Sequence, residues 1–385
     1  MSRLDELIAE LCPDGVEYIK LGSICNLITT GKLNANAMVE NGKYPFFTCD
    51  ANPYRINEYA FDTTAIIISG NGSQVGHINF YQGKFNAYQR TYVLSEFNNI
   101  DVKYLLHYLK GNLKNYIILH SKKGSVPYIT MPMLKNFSVP IPPLPVQEEI
   151  VRILDNFTEL TAELTAELTA RRKQYEYYRD LLLTFGDEVP RVAIDDLFNI
   201  RNGYTPSKSN KEYWENGVIP WFRMEDIREN GRILSNALQY VSINAVKGRP
   251  FPANSIIIST SATIGEHALI QTEFLANQRF TILSLKNEYQ DVNIKYLFYY
   301  CYILGEWCKN NLTLGHFASV DMVAFKKFRI PLPPLKEQER IVAILDRFDA
   351  LCNDLTSGIP AEIEARQKQY EYYRDKLLSF KEVTA

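Results

Sequence analysis

Arginine, asparagine and glutamine on turn-rich segments can read base edges in a nucleic-acid groove, while lysine, serine and threonine suit phosphates. Four early segments carry such residues: TTGKLNAN with Lys32 and Asn34, the glycine-rich GNGSQVG with Gln74, the Gln89-Arg90 pair, and SKKGSVPY with Lys122 and Lys123. A later set matches them: Ser207 and Lys208 in YTPSKSN, Arg223 after Trp221-Phe222, Gln278-Arg279, and His316 in LGHFAS. The two Gln-Arg pairs have a second reading as holders of a core turn, because they correspond to one another.

Motifs for covalent chemistry are incomplete. An adenine methylase needs a D/N-P-P-Y/F loop, and Asn52-Pro53-Tyr54 lacks the second proline, so it reads as a turn. Gly70–Gly76 follows a strand pattern, but no long helix pattern comes after it, so it reads as a turn loop and not a dinucleotide site. No GxxxxGK[ST] run is present. Glu17 and Lys20 in PDGVEYIK are too loose a nuclease signature to credit. The five histidines (77, 107, 120, 267 and 316) lack metal spacing and read as core or surface groups. The expectation is a chain with no catalytic residue and no metal site.

These side chains need elements to position them, and an internal duplication organises those elements. Ile141–Phe157, IPPLPVQEEIVRILDNF, returns as Leu332–Phe348, LPPLKEQERIVAILDRF, with eleven of 17 positions identical at an offset of 191. RKQYEYYRDLLLTF (Arg172–Phe185) returns as QKQYEYYRDKLLSF (Gln367–Phe380) at an offset of 195. More faintly, AIIISGNGSQVG (Ala65–Gly76) pairs with SIIISTSATIG (Ser255–Gly265), and GKYPFF with GVIPWF. Two globular heads, 1–140 and 189–331, thus each precede a repeated segment, 141–188 and 332–385. Short β-branched and aromatic runs punctuated by Gly, Asn and Pro make the heads mostly β, with helices expected at Val102–Leu109 and Ile294–Tyr302.

The repeated segments are helical. Pro-Pro is followed by a stretch free of Gly and Pro from Glu148 to Phe185. Its heptad positions include Ile150, Leu154, Phe157, Leu164, Leu168, Tyr175 and Tyr178, a coiled-coil seam about 57 Å long. The second copy keeps phase through Ile341, Leu345 and Phe348 and resumes at Tyr370 and Tyr373. Its four extra residues form a stutter, and Ser357–Pro360 predicts a kink or break there. The simplest burial lays one seam against the other, giving an α+β fold: two mixed, mostly β heads separated by two long helices in an antiparallel coiled coil, with pseudo-twofold duplication. Between Phe157 and Arg171 lies a TAEL repeat, whose unit changes helix length by about 6 Å.

The chain has 385 residues, 46% hydrophobic and 22% charged, which suits two or three domains and excludes disordered, collagenous and disulfide-scaffold classes. No apolar run approaches the roughly 18 residues a membrane span needs. Acids interrupt the N-terminus where a signal peptide needs an apolar core. Six cysteines without a CxxC pair read as reduced thiols of a cytoplasmic protein. The heads carry +2 and +3 and the repeated segments −5 and −2, a weak basic bias for a nucleic-acid binder acting alone.

The PxPPLxxQ(E)xIVxILD opening, the QKQYEYYRDKLL exit, the two unlike heads and the TAEL units resemble the DNA-specificity subunit of type I restriction–modification enzymes over the whole chain. The resemblance implies that each head reads half of a bipartite, asymmetric site in double-stranded DNA. It implies that the helices set the unread spacer and bind two copies of an adenine-methylating methyltransferase subunit, to which restriction and translocation subunits attach. S-adenosylmethionine, ATP and Mg2+ would then reside in those partners, with no cofactor in this chain and no membrane. A protein-binding scaffold with two heads on a coiled-coil rod is the alternative; its affinity would not depend steeply on salt.

Overall fold

The computed structural model describes residues 2–121, 127–313, 318–354 and 356–383. The chain divides into two compact units, one of residues 1–163 and 363–385 and one of residues 164–362. Each unit combines one head with parts of both repeated segments.

In the first unit a six-stranded sheet runs in the order Cys25–Thr30, Thr91–Phe97, Phe61–Ser69, Ile78–Ala87, Tyr44–Phe47, Tyr54–Ile56. All neighbours are antiparallel except Tyr44–Phe47 beside the end of Ile78–Ala87. The apolar run at Ala65–Ile68 is continuous because both faces of this central strand are covered. Ile66 and Ile68 pack toward the head helix Val102–His120, and Ala65 and Ile67 toward Phe47, Phe85 and Val93.

The second unit repeats the plan. Phe198–Asn202, Phe280–Leu285, Ser255–Ser259 and His267–Ile270 follow one another in the same order, and Ile219–Phe222 runs parallel to Leu275–Ala276. Ile256 and Ile258 face the head helix Ile294–Asn310, and Ile257 faces Trp221, Phe222 and Phe274. Both expected head helices are therefore present, each longer than its sequence signal. The last glycine of the two matching loops survives for a backbone reason: Gly76 has φ +79° and Gly265 has φ +89°.

The central helix is Leu144–Leu182, starting just after Pro142-Pro143; its residues to Glu163 belong to the first unit and the rest to the second. The second repeated segment is two helices, Leu335–Asn353 and Ile359–Leu377, so the expected break is real. Its cause is local. The Asp354 carboxylate accepts from the Thr356 and Ser357 backbone N–H groups (2.7 and 3.3 Å) and from both hydroxyls (2.6 Å each), forming a turn in place of a helical one. Pro360 then sits in the first turn of the next helix, where its missing N–H costs nothing.

The seam pairs helix with helix inside each unit. In the first, Phe157 stacks on Tyr373 with ring centroids 5.3 Å apart, and Ile150, Leu154 and Tyr370 are buried. In the second, Phe348 stacks on Tyr178 at 5.8 Å and on Tyr175 at 6.1 Å, while Arg172 donates to the Cys352 carbonyl, so these two helices run antiparallel. Ile341 and Leu345 are fully buried there, and Leu164 and Leu168 half-buried. Phe157 and Phe348, and Tyr373 and Tyr178, are matched positions of the duplication, so one aromatic stack is built twice.

Candidate nucleic-acid interface

The loops bearing the first head's candidates are tied together by hydrogen bonds. Gln89 Nε2 donates to Asn34 Oδ1 (2.9 Å), and the Gln89 backbone N–H to the Leu33 carbonyl (2.9 Å). The Gly70 N–H donates to the Arg90 carbonyl (2.9 Å), which joins the loop bearing Gln74 to the same turn. Cys49 Sγ lies 3.0 Å from Asn71 Oδ1 and bridges to a further loop. Lys32, Asn34, Gln74, Gln89 and Arg90 are all exposed on this cluster. Lys122 and Lys123 lie outside the described residues.

The second head gathers its loops in the same way. The Tyr204 N–H donates to the Ala276 carbonyl (2.7 Å), Asn277 N–H to Phe222 (3.0 Å) and Thr260 N–H to Arg279 (3.1 Å). Thr205 donates to the Gln278 side chain, matching the Asn34–Gln89 contact. These ties enclose a cleft of about 580 Å3 lined by Lys208, Arg223, Gln278 and Arg279, with Trp214, Trp221 and Gln239 beside them. Ser207 does not line it; its hydroxyl pairs with Ser209 (2.8 Å) and its carbonyl accepts from Trp214 Nε1 (3.0 Å). His316 lies outside the described residues. Four residues from three separate segments thus converge on one concavity. Trp214 and Gln239 were not singled out by their sequence context, which gives them no spacing signal.

Both copies of the Gln-Arg turn keep their backbones engaged and their side chains exposed. The turn is structural; the arginine side chains are exposed, while the exposed glutamines are bonded to Asn34 and Thr205.

Each head is also clamped to its own repeated segment by a duplicated polar set. Asp155 accepts from Lys103 Nζ (2.6 Å) and lies 3.0 Å from His107 Nε2; Asp346 accepts from Lys295 Nζ (2.8 Å) and from the Tyr299 hydroxyl (2.6 Å). Gln147 Oε1 accepts from the Asp101 N–H (2.8 Å) and Gln338 Oε1 from Asn293 N–H (3.0 Å). Inside each head, where the chain enters the repeated segment, the Tyr104 and Tyr296 hydroxyls donate to the Pro140 and Pro331 carbonyls (2.9 and 2.8 Å). Burial raises the Asp155 carboxyl, but its bonds to Lys103 and His107 outweigh that and hold it below the usual range. Burial pushes His107 down, against the pull of Asp155. In the neutral Nε2–H tautomer, His107 donates to Asp155 and accepts from the Tyr370 hydroxyl at Nδ1 (2.9 Å), so both ring nitrogens are satisfied. This clamp was not among the sequence expectations. Its signal was available in the matching KYL runs at 103–105 and 295–297 and in the two ILD runs.

Among the described residues no group of three His, Cys, Asp or Glu side chains could hold a metal ion, and no helix is long and apolar enough to cross a membrane.

Comparison with known proteins gives this geometry a context. The family model described as the type I restriction modification DNA specificity domain matches twice, at residues 13–171 and 187–365. The chain is 60% identical over 206 residues to the type I restriction enzyme EcoprrI specificity subunit of Escherichia coli, covering 51% of each protein. It is 42% identical over 265 residues to the EcoR124I/EcoR124II specificity subunit of the same organism, covering 64% of this chain and 63% of that one. The matched region therefore spans about half to three-fifths of these relatives. A chain from a structure of the type I restriction–modification system, solved to explain its complex assembly and conformational transition, is 18% identical with a TM-score of 0.60, over 95% of this chain and 98% of that one. At that identity the likeness concerns the fold.

Proposed function

This chain belongs to the type I restriction–modification DNA specificity family, and from that premise we propose that it is the non-catalytic specificity subunit of such a complex. Residues 1–140 and 189–331 act as target recognition domains, each reading one half of a bipartite, asymmetric duplex site. Segments 141–188 and 332–385 set the spacer between the halves and dock two methyltransferase subunits, through which restriction and translocation subunits join. Adenine-N6 methylation and ATP-dependent cleavage then take place in those partners, which bind S-adenosylmethionine, ATP and Mg2+ in the cytoplasm.

The single observation that carries this reading is the convergence, in each head, of exposed and half-buried Arg, Lys and Gln side chains, with Asn34 in the first, from separate loops onto one cluster. Convergent amide and guanidinium groups are what base-edge and phosphate recognition requires. In the first head the contacts are Lys32, Asn34, Gln74, Gln89 and Arg90, with Lys122 and Lys123. In the second they are Ser207, Lys208, Arg223, Gln278 and Arg279, with His316. Docking of two like partners is supported by two like patches: Tyr177-Tyr178 and Tyr372-Tyr373 are exposed and meet edge to face at 5.4 and 5.3 Å. Exposed aromatic pairs of this kind suit protein interfaces.

Methylation mapping of DNA from cells with and without this chain tests the proposal. The expected result is one split motif, methylated on both strands, that disappears with the chain. A continuous motif, or an unchanged pattern, overturns it.

A further inference from the structure

The cleft of the second head is built differently from a groove-facing surface. Its walls are aromatic, with the Trp214 and Trp221 rings meeting edge to face at 5.0 Å and 83°. Both indole N–H groups are already satisfied, Trp214 by the Ser207 carbonyl (3.0 Å) and Trp221 by the Tyr204 carbonyl (3.1 Å). The rings are therefore fixed in place; Trp221 is buried, and half-buried Trp214 leaves ring surface, not its N–H, for a ligand. Arg223 lies over Trp221 at 5.5 Å, and its Nε is buried without a hydrogen-bond partner among the described residues. Its ion pair with Glu225, at 3.9 Å, is too long to satisfy that donor. Gln239 adds an amide group that can both donate and accept, whereas the Gln278 amide is already engaged by Thr205.

A volume of about 580 Å3 falls within the range of small-ligand pockets. The edge of a base still stacked in a duplex presents no face to an indole wall, whereas an extruded base presents two. Trp221 and its matching residue in the first head, Phe46, are both buried, so the indole accessible in this cleft is Trp214.

We propose that the second head draws one nucleobase of its half-site out of the duplex and into this cleft. The base stacks on the face of Trp214, and its edge is gripped by Arg223 and the amide of Gln239. The proposal rests on the heads being DNA readers and adds how one of them reads.

Extrusion costs the pairing and stacking of the flipped base, so mispairing that base should tighten binding, whereas a stacked reading gains nothing from it. The experiment uses the assembled complex and duplexes carrying the mapped site. The base opposite each read position is changed one at a time, leaving the read strand intact. The expected result is one position, in one half only, where the mismatch tightens binding by roughly tenfold. Trp214→Ala should abolish that gain and Trp214→Phe should retain it. Recognition of the other half, made by the first head, should be unaltered in both variants and reports that the chain is folded. Any gain at the methylated adenines, where the partner flips its own target, should be indifferent to Trp214. Specific binding with no Trp214-dependent mismatch gain overturns the extrusion and leaves DNA reading in place. Absence of any bipartite site overturns both.

Discussion

Replacing Asp155 by alanine removes the acceptor that joins the first head to the central helix, and the structure sets the size of the effect. His107 is 3% exposed, so its Nε2–H would be left buried without a partner, while Lys103 is about half exposed and would find water. A hydrogen bond to a charged group contributes about 1.5–3 kcal/mol, and an orphaned buried donor costs about 1–3. The exposed Lys103 arm adds at most about 1 kcal/mol. A total near 2–4 kcal/mol follows, which lowers the melting temperature of the first unit by roughly 5–15 °C. Calorimetry of the full chain measures it, with Arg340→Ala as the control. That substitution breaks an exposed Glu337 pair of 2.6 Å and should cost well under about 1 kcal/mol. A double-mutant cycle with His107→Phe isolates the coupling, expected above about 0.5 kcal/mol. If Asp155→Ala melts within about a degree of wild type, or the cycle is additive, the clamp does not hold the head and the reasoning fails.

Other outcomes follow from the same geometry. His267 is fully buried, and burial, with Arg232 nearby, pushes it down to about 3; its folded form stays neutral where the unfolded chain takes up a proton. Its contribution is thus complete above pH 6.5 and is lost on acidification, at about 1.4 kcal/mol per pH unit, and His267→Phe should flatten that slope in thermal melts. His107 acts in the same direction in the first unit. Deleting Thr161–Leu164, one TAEL unit, shortens the helix by about 6 Å. Methylation mapping should then show a shorter spacer and unchanged half-sequences; altered half-sequences would defeat the ruler. Arg279→Ala should weaken DNA binding and lower the salt slope by about one, without changing the bases preferred in the second half. A changed base preference would make Arg279 a reader of bases instead of a phosphate contact.

The sequence made the elements legible where a period runs long enough to be counted. The Ile150–Tyr178 seam and the stutter follow from spacing, because helix phase is a local property, and Gly358 and Pro360 signal the break that falls between Asn353 and Ile359. The strands at 65–69 and 255–259 were visible as β-branched runs, although burial on both faces hid which side met the head helix. The cleft was not legible. Lys208, Arg223, Gln239 and Gln278 come from segments far apart in the chain and meet only because the ties from Tyr204 to Ala276 and from Asn277 to Phe222 set the loop positions. No periodicity records such ties. The clamp lies between these cases: Asp155 and Asp346 are plain in the repeat, but nothing local shows that their partners sit on the head helices.

The duplication also separates the roles of neighbouring residues. The clamp persists in both halves with one change of donor, His107 for Tyr299, and the geometry at the carboxylate is kept. The Gln-Arg turns persist too, each glutamine tied to the loop beside it and each arginine carbonyl receiving an N–H. If the two heads read different bases, as proposed, they cannot draw the difference from groups they share. On that proposal Gln89, Arg90, Gln278 and Arg279 would fix the loops and meet the backbone, which is the same in any sequence. Discrimination is then expected from positions where the halves diverge: Lys32 and Asn34 against Ser207 and Lys208, Gln74 against the Thr260–Gly265 loop, and the Trp214 wall of the second head. Exchanging those divergent loops between heads, with the shared turns left in place, should transfer base preference; exchanging the Gln-Arg turns should transfer nothing. Transfer by the turns, read out by methylation mapping, would reverse this assignment.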